Sequence, residues 1–371
     1  MPPVLLGCVG GFLGAGKTTA LAAAARELMS RGRKVGLVTN DQGRDLVDTA
    51  FFRSLGLPTE EVAGGCFCCR FDELVARAGR LVEASAIDVL LAEAVGSCTD
   101  LAATVYRPLR RFFGDQFVLA PLTVVLEPDR LLEIAGTVCP VFPDEVAYIF
   151  DRQIAEADLV LLNKIDLLAP PRRAELERAL VGRLGDVPLL GISAATGTGV
   201  AAWVDRLLGG GAVGDGQNIA VDYEAYARGE AALAWLNATL DARSPVAIEP
   251  RALGDALLAG LGEGARRQDM ALAHAKVLIA SAEGSARVAI TSAAARPQWS
   301  GDAALGPARE LSLIVNARAG TEPRALAAVV RAAVASAGDL LGLELSERHF
   351  ECFRPPPPVP QYRFPATISE R

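Results

Sequence analysis

The chain is poor in histidine, lysine and methionine. Only His274 and His349 occur in 371 residues, with three methionines. No histidine-rich stretch exists to hold a metal ion, so metal chemistry would have to rest on other ligands. Lys17, Lys34, Lys164 and Lys276 are the only lysines among 37 basic residues. In so arginine-rich a chain, a lysine marks a place that suits a compact ammonium better than a planar fork. No apolar run reaches the length of a membrane span. Basic charge is not in excess either: the net charge is −7, which argues against nucleic acid as the main partner. The N-terminus runs into an apolar strand without a signal-peptide pattern, so a cytoplasmic location is expected. In that compartment, the seven cysteines read as thiols or metal ligands rather than disulfides. The length predicts two domains, and hydrophobic residues at 51 % suffice for packed cores.

Residues 1–208 alternate apolar strands with helical patterns. Strands are expected at Val4–Val9, Lys34–Thr39, Ile87–Ala92, Leu122–Leu126, Asp158–Leu162 and Val187–Ile192. That order predicts an α/β fold, a mostly parallel sheet with helices on both faces and ligands at the carboxyl ends of its strands. Gly209 to Gly216 reads as a glycine-rich linker, placed at 209–217. Residues 218–371 read as a smaller α+β domain of βαββαβ type. In it, Ala231–Leu240 is a strand or short helix and Pro250–Leu261 a helix. Ala275–Ala280 pairs with Ala286–Thr291, and Glu310–Ala317, Glu322–Ala337 and Glu344–Phe353 complete the pattern. The run Pro355–Pro358 reads as an extended cap or a disordered end.

Gly11-Phe12-Leu13-Gly14-Ala15-Gly16-Lys17-Thr18 fits the phosphate-loop pattern G-x-x-x-x-G-K-[ST], between a strand and an alanine-rich helix opening at Thr19. Backbone N–H groups of Gly11, Gly14, Ala15 and Gly16, with the first helical turn through Thr19, converge on phosphate there. Lys17 is expected at the β- and γ-phosphates and Thr18 on Mg²⁺.

Asn163-Lys164-Ile165-Asp166 follows a later strand. A carboxylate there accepts two hydrogen bonds from guanine N1 and N2, which adenine cannot donate, and the lysine stem covers the purine face. Ser193-Ala194 follows the next strand, where a second base-contacting loop belongs. GTP is therefore the expected nucleotide. Glu93-Ala94-Val95-Gly96 ends the Ile87–Ala92 strand: the carboxylate suits Mg²⁺ through water, and the Gly96 N–H suits a γ-phosphate sensor. Asn40-Asp41-Gln42-Gly43 ends the second strand. Asp41 is a candidate to orient water or contact Mg²⁺, and a plain Asx turn is the competing reading.

Gly65-Cys66-Phe67-Cys68-Cys69 places three cysteines within four residues. Thiolates select Zn²⁺, Cu⁺ and similar ions. In an extended strand Cys69 would face away from Cys66 and Cys68, so one ion held by all three requires a turn, which Gly64-Gly65 permits. Three ligands leave the shell open, as delivery requires and structural zinc sites avoid. Buried free thiols or a redox pair are the competing readings. Cys98, just past Glu93, reads as a packed thiol, with a place facing the same region as the alternative; Cys8, Cys139 and Cys352 read as core or incidental cysteines, the two histidines as structural, and Arg107, Arg110 and Arg111 as a solvated basic face.

The phosphate loop, C-x-C-C, E-x-x-G and N-K-x-D, in this order, resemble the CobW-type P-loop GTPases, relatives of the GTPases that assist nickel insertion into urease and hydrogenase. The resemblance spans about residues 4–208. It implies phosphate and Mg²⁺ at Gly11 to Thr18, a metal at Cys66, Cys68 and Cys69, a switch at Glu93 and Gly96, and guanine at Asn163, Lys164 and Asp166. Asp41 stands where the family usually has Glu. Ala94 to Asp100 departs from the family's Ser-Gly-containing run, and the common C-terminal signature is absent.

The expected activity is slow Mg·GTP hydrolysis coupled to delivery of Zn²⁺, or of Co or Ni, to a client metalloenzyme or corrinoid protein. A partner or a second copy in a homodimer would supply a catalytic arginine. The alternative is a cargo-free GTPase that remodels its client, its cysteines serving for docking or sensing. A small-molecule kinase is disfavoured by Asn163–Asp166, and passive storage by the single three-thiol cluster.

Overall fold

A computed structural model describes residues 2–43, 47–134, 141–210, 219–301 and 305–365. Cys139 and most of the glycine-rich linker lie outside them. Two compact units form. One comprises the described residues of Met1–Gln42, Leu57–Gly229 and Pro357–Arg371, the other those of Gly43–Gly56 and Glu230–Pro356. Neither is a continuous stretch, because two segments distant in sequence pack into the unit that buries their apolar side chains.

The first unit carries a sheet in the order β3-β2-β4-β1-β6-β7-β8, with β5 also paired to β1. The strands are β1 Val4–Gly10, β2 Val35–Asp41, β3 Thr59–Ala63, β4 Val89–Glu93, β5 Phe117–Leu119, β6 Thr123–Leu126, β7 Leu159–Leu162 and β8 Leu189–Gly191. Every pairing is parallel. β4, β6 and β7 are buried along their whole length, so both faces are covered and the sequence reads as unbroken apolar runs rather than alternation. The sequence reading passes over β3, whose Thr59-Glu60-Glu61 start is too polar to signal a strand. It is an edge strand, and edges tolerate charge.

Helix α1 (Lys17–Ser30) follows the phosphate loop, and its buried stripe of Ala20, Leu21, Ala24 and Leu28 keeps it on the sheet. Residue 31 is followed by Gly32 at φ +80°, which closes the helix. Helix α2 (Val47–Ser54) departs from the expected alternation, because it belongs to the second unit. Phe51 and Phe52 are buried, and Asp48 Oδ2 accepts from Lys276 Nζ at 2.6 Å while Arg287 stacks over the Phe51 ring at 4.1 Å. Asp48 is therefore an ion-pair anchor.

The second unit is a six-stranded antiparallel sheet in the order β12-β11-β10-β13-β9-β14. Its strands are β9 Ala234–Ile248, β10 Ala271–Ser281, β11 Gly284–Ile290, β12 Gln298–Gly301, β13 Ala308–Gly320 and β14 Glu344–Phe353. Leu253, Leu257, Leu258 and Leu261 of a helix at Pro250–Arg267 and Leu326, Val330 and Val334 of one at Pro323–Leu341 fill one core with the sheet. The order is βαββββαβ, two strands more than the four-stranded βαββαβ expectation; each strand and helix placed from sequence is present, and β12 is a further edge strand. Ala231–Leu240 resolves as strand from Ala234 onward, and the Glu283-Gly284-Ser285 turn joins β10 to β11.

Two polar stretches differ from their sequence reading. Arg107 donates to the Phe364 carbonyl at 2.8 Å and Arg111 lies over the Phe364 ring at 4.8 Å, so the basic run holds the end of the chain rather than only facing solvent. Residues 357–365 pack on the first unit instead of capping the second.

Candidate functional site

The carboxyl ends of β1, β2, β3, β4, β7 and β8 each lead directly into one of the singled-out motifs. Their order across the sheet puts the cysteine loop after β3, Asn40-Asp41 at β2, Glu93 at β4 and the phosphate loop after β1 side by side. With strands about 4.8 Å apart, the cysteine loop begins roughly 14 Å from the phosphate loop.

The phosphate loop is built by glycine. Gly14 and Gly16 have φ of +85° and +91°, and a Cβ at Gly11 (φ +124°) would come within 2.2 Å of the Val125 carbonyl oxygen. A side chain at Gly16 would meet the Asn163 amide at 2.4 Å. Lys17 is buried and its Nζ donates to the Gly11 and Phe12 carbonyls at 2.7 and 3.3 Å, which holds the ammonium over the loop. Thr18 Oγ1 donates to Glu93 Oε1 at 2.9 Å, both side chains buried. A hydroxyl and a carboxylate brought together this way are the hard oxygen donors that Mg²⁺ takes. Gly96 approaches the loop closely: its Cβ would lie 2.5 Å from Leu13 Cδ2 and 3.1 Å from the Leu13 nitrogen. Thr19 sits half-buried in the first turn of α1. Asp41 ends β2 opposite Ala63, at the start of the cysteine loop.

The N-K-x-D stretch divides its work. Asn163 Nδ2 donates to the Ala15 carbonyl at 2.9 Å and its Oδ1 accepts the Ala194 N–H at 3.0 Å. Asn163 thus ties the phosphate loop to the Ser193-Ala194 loop, with its amide used inside the protein. Lys164 adopts a left-handed φ of +61° and gives its ammonium to Glu127 at 3.1 Å. Asp166 is exposed and is the motif's carboxylate open to a base. Ser193 is buried, its Oγ accepting from the Thr196 N–H at 3.2 Å.

The cysteine loop makes the turn that its glycines permit. Gly64 has φ +73°, and the N–H groups of Cys69 and Arg70 both donate to the Cys66 carbonyl at 3.0 Å. The turn brings Cys69 round to the others, with sulfur separations of 2.7, 3.1 and 3.7 Å. All three sulfurs lie within 4.8 Å of one another. Tetrahedral Zn–S bonds of 2.3 Å place sulfurs about 3.8 Å apart, so small adjustments fit the three to one ion. The hydrogen bond with Cys66, then burial, pushes the Cys69 thiol up to about 11. Cys68 is raised well above the usual thiol range by hydrogen bonds with Cys66, Cys69 and Cys98. Ligation therefore has to release protons. Cys98 is more than a packed thiol: it is fully buried within hydrogen-bonding reach of Cys66 and Cys68. Cys8 is buried and Cys352 half-buried, as expected.

Asn40 is the supporting residue that the sequence reading treats only as part of a turn. Its Nδ2 donates to the Val62 and Gly65 carbonyls at 2.9 and 2.7 Å, and its Oδ1 accepts the Phe67 N–H at 2.8 Å. The sequence signal is a buried amide ending an apolar strand. Asn40→Ala is expected to weaken any binding of a thiophilic ion by the three cysteines about 10- to 100-fold, the usual effect of losing a residue that orients metal ligands. Competition with a chromophoric chelator checks this.

Beyond Glu93, the chain is pinned by buried polar contacts. Gln153 donates to the Gly96 and Cys98 carbonyls at 2.9 and 2.8 Å. Glu156 accepts from Thr99 Oγ1 and the Ala102 N–H, each at 3.1 Å. Burial raises the Glu156 carboxyl to about 8, only partly offset by the Ala102 N–H, with Asp100 adding to the rise. The proton is held more tightly in the folded chain than in the unfolded one. Stability should therefore fall as pH rises from the ordinary carboxylate value near 4.3 to about 8, and level off above. Glu156→Gln should flatten that slope, with the difference in unfolding midpoint from the parent growing across the window in thermal melts.

Residues 5–184 match the CobW/HypB/UreG nucleotide-binding domain. This stretch belongs to that family. The CobW-type domain has curated relatives. The zinc chaperone CobW of Pseudomonas aeruginosa is 30 % identical over 217 residues, covering 47 % of this chain and 52 % of the relative. The zinc chaperone YeiR of Escherichia coli is 29 % identical over 191 residues, covering 48 % and 52 %. The chain thus spans about half the length of the curated relatives it matches. HypB from Helicobacter pylori, solved in complex with nickel, is 16 % identical with a TM-score of 0.41, covering 56 % of this chain and 86 % of that one. The match gives residues 5–184 a nucleotide-binding domain of this family. Among the described residues no helix is long and apolar enough to cross a membrane.

Proposed function

We propose that the protein is a GTP-hydrolysing metallochaperone. It takes up Zn²⁺ or a related transition ion at Cys66, Cys68 and Cys69 and couples hydrolysis to its transfer to a client metal- or cobalamin-dependent enzyme. The observation that carries this reading is the placement of a three-thiol loop and a phosphate loop at the carboxyl end of one sheet, with Asp41 and Glu93 on the strands between them. The zinc-chaperone names of the two curated relatives support zinc as the cargo.

In this reading Gly11 to Thr18 cradle the triphosphate, Lys17 neutralises charge developing on the γ-phosphoryl oxygens, and Thr18 with Glu93 holds Mg²⁺. Bound there by Thr18 and Glu93, Mg²⁺ would offset the negative charge of the phosphates. Asp41 orients the attacking water, and Asp166 selects guanine. The Gly96 N–H registers the γ-phosphate, and its tight packing on Leu13 carries loss of that contact into residues 96–100. Cys98, at hydrogen-bond reach of Cys66 and Cys68, is where that change meets the metal loop. A client protein or a second copy supplies a catalytic arginine, and the setting is the cytoplasm.

Coupling is reciprocal: a nucleotide that raises metal affinity has its own affinity raised by the same factor. Zinc titration of the full chain with GDP and with a non-hydrolysable GTP analogue tests the reading. An affinity difference of at least about fivefold is expected. Equal affinities, together with GTP turnover unchanged in Cys66→Ser, would leave a cargo-free GTPase as the better description.

A further inference from the structure

The cysteine loop is touched by the far C-terminal stretch of the chain. Residues 357–365 belong to the same unit as that loop, although the intervening 230–356 form the other. Five of the six residues 355–360 are prolines: the four before Val359, and Pro360 after it. Proline has no N–H, so within 355–360 Val359 alone can donate from its backbone. That N–H points at Cys69 Sγ at 3.2 Å. The Val359 side chain is 73 % exposed, so its packing does not explain the position; its backbone makes the contact.

The stretch is held on both sides of this contact. The Gln361 N–H donates to the Cys68 carbonyl at 2.9 Å, and Gln361 Oε1 accepts the Asp72 N–H at 3.0 Å. The Tyr362 ring meets Phe71 and Phe112 edge-on, each at 5.3 Å. Arg363 Nε donates at 2.7 Å to the buried Asp100 carboxylate, which Tyr223 also binds at 2.8 Å. The Phe364 N–H donates to the Ala103 carbonyl at 3.0 Å. Polyproline backbone needs little ordering entropy to lie extended, so prolines are the natural lead-in to such a docked segment.

We propose that residues 357–364 are a strap that completes the thiol site from outside, the Val359 N–H stabilising the Cys69 thiolate when a soft cation is held. The inference rests on the metal reading above. A hydrogen bond to a metal-bound thiolate is charge-assisted, and supporting partners of this kind set both affinity and exchange. The strap also shields Cys69, the half-buried member of the cluster, so transfer to a client requires it to lift. Its anchor, Asp100, lies seven residues beyond Glu93, which ties lifting to the segment that senses nucleotide.

The test uses the full chain loaded with Zn²⁺ or Co²⁺. Val359→Pro removes the donor and keeps extended backbone between two existing prolines; Val359→Ala keeps the donor. Val359→Pro is expected to weaken zinc affinity about tenfold and speed zinc loss to a chelator, while Val359→Ala stays within about twofold of the parent. In the cobalt form, the Val359→Pro thiolate charge-transfer band should move to lower energy at unchanged intensity, because a sulfur lacking its hydrogen bond gives up charge more easily. Arg363→Ala keeps the donor but frees the strap, and should also speed zinc loss. Equal affinity, exchange and band position in Val359→Pro and Val359→Ala, with parent-like zinc loss in Arg363→Ala, overturns the strap and leaves the metal reading standing. A parent chain that binds neither ion stoichiometrically overturns both.

Discussion

Lys17→Ala is expected to lower kcat/KM for GTP at least about a hundredfold, the scale of losing one preorganised donor to charge that develops in the transition state. The reason is in the local structure. The Lys17 ammonium is buried and held between the Gly11 and Phe12 carbonyls, 2.7 and 3.3 Å away, so it is positioned before any nucleotide arrives. No other lysine lies in the first 33 residues, and an arginine would bring a wider, planar group to a cradle whose glycines already sit within van der Waals limits of Val125 and Asn163. Lys17→Arg should therefore fail nearly as fully as Lys17→Ala. Fluorescent GTP-analogue binding and phosphate-release assays separate the two parts of the effect. A variant that binds GTP normally but does not turn it over places the lysine in the chemical step. Thermal melts should stay close to the parent's, because Lys17 spans no element of the core.

Cys66→Ser is expected to cost zinc affinity more than the roughly 100-fold that loss of a supporting hydrogen bond costs. Cys66 is the hub of the loop: its sulfur lies 2.7 Å from Cys68 and 3.1 Å from Cys69, and its carbonyl closes the turn. A hydroxyl keeps the size but is a harder, less acidic donor. With two thiols left, the site should retain little of its preference for soft ions. Equilibrium competition reads the affinity, and the cobalt spectrum should lose charge-transfer intensity in proportion to the sulfur removed. Because the turn is closed by backbone groups, the variant should fold, and GTP binding should persist. Retention of parent affinity by Cys66→Ser would show that these cysteines are not the ligands.

Much of this site is legible in the chain because its chemistry is local. Gly11, Gly14 and Gly16 announce a backbone that no side chain tolerates, and the structure finds positive φ at each. Three cysteines in four residues announce a cluster, and Gly64-Gly65 announce the turn that makes it converge. Other roles are not legible. Asn163 belongs to a base-recognition motif by sequence, yet its amide braces the phosphate loop against residue 194, a contact 148 residues back along the chain on one side and 31 forward on the other. Asn40 looks like half of an Asx turn until β3 pairs beside it and brings Val62, Gly65 and Phe67 to its amide. Arg107 and Arg111 read as surface charge because their partner, Phe364, lies far away in sequence.

The sequence by itself determined the phosphate loop and the thiol cluster, since each depends on residue type and spacing within a few positions. The tertiary structure alone decided what those pieces have to do with one another. Strand order set β3 and β2 beside β4 and β1, and so put the cysteine loop at the same end of the sheet as the phosphate loop, three strands away. Burial of Phe51 and Phe52 drew residues 47–54 into the second unit. The run 355–360 laid its single backbone N–H on a cysteine sulfur 290 residues away. Pairing and packing at such separations follow from which apolar faces find each other, and no local pattern encodes that choice.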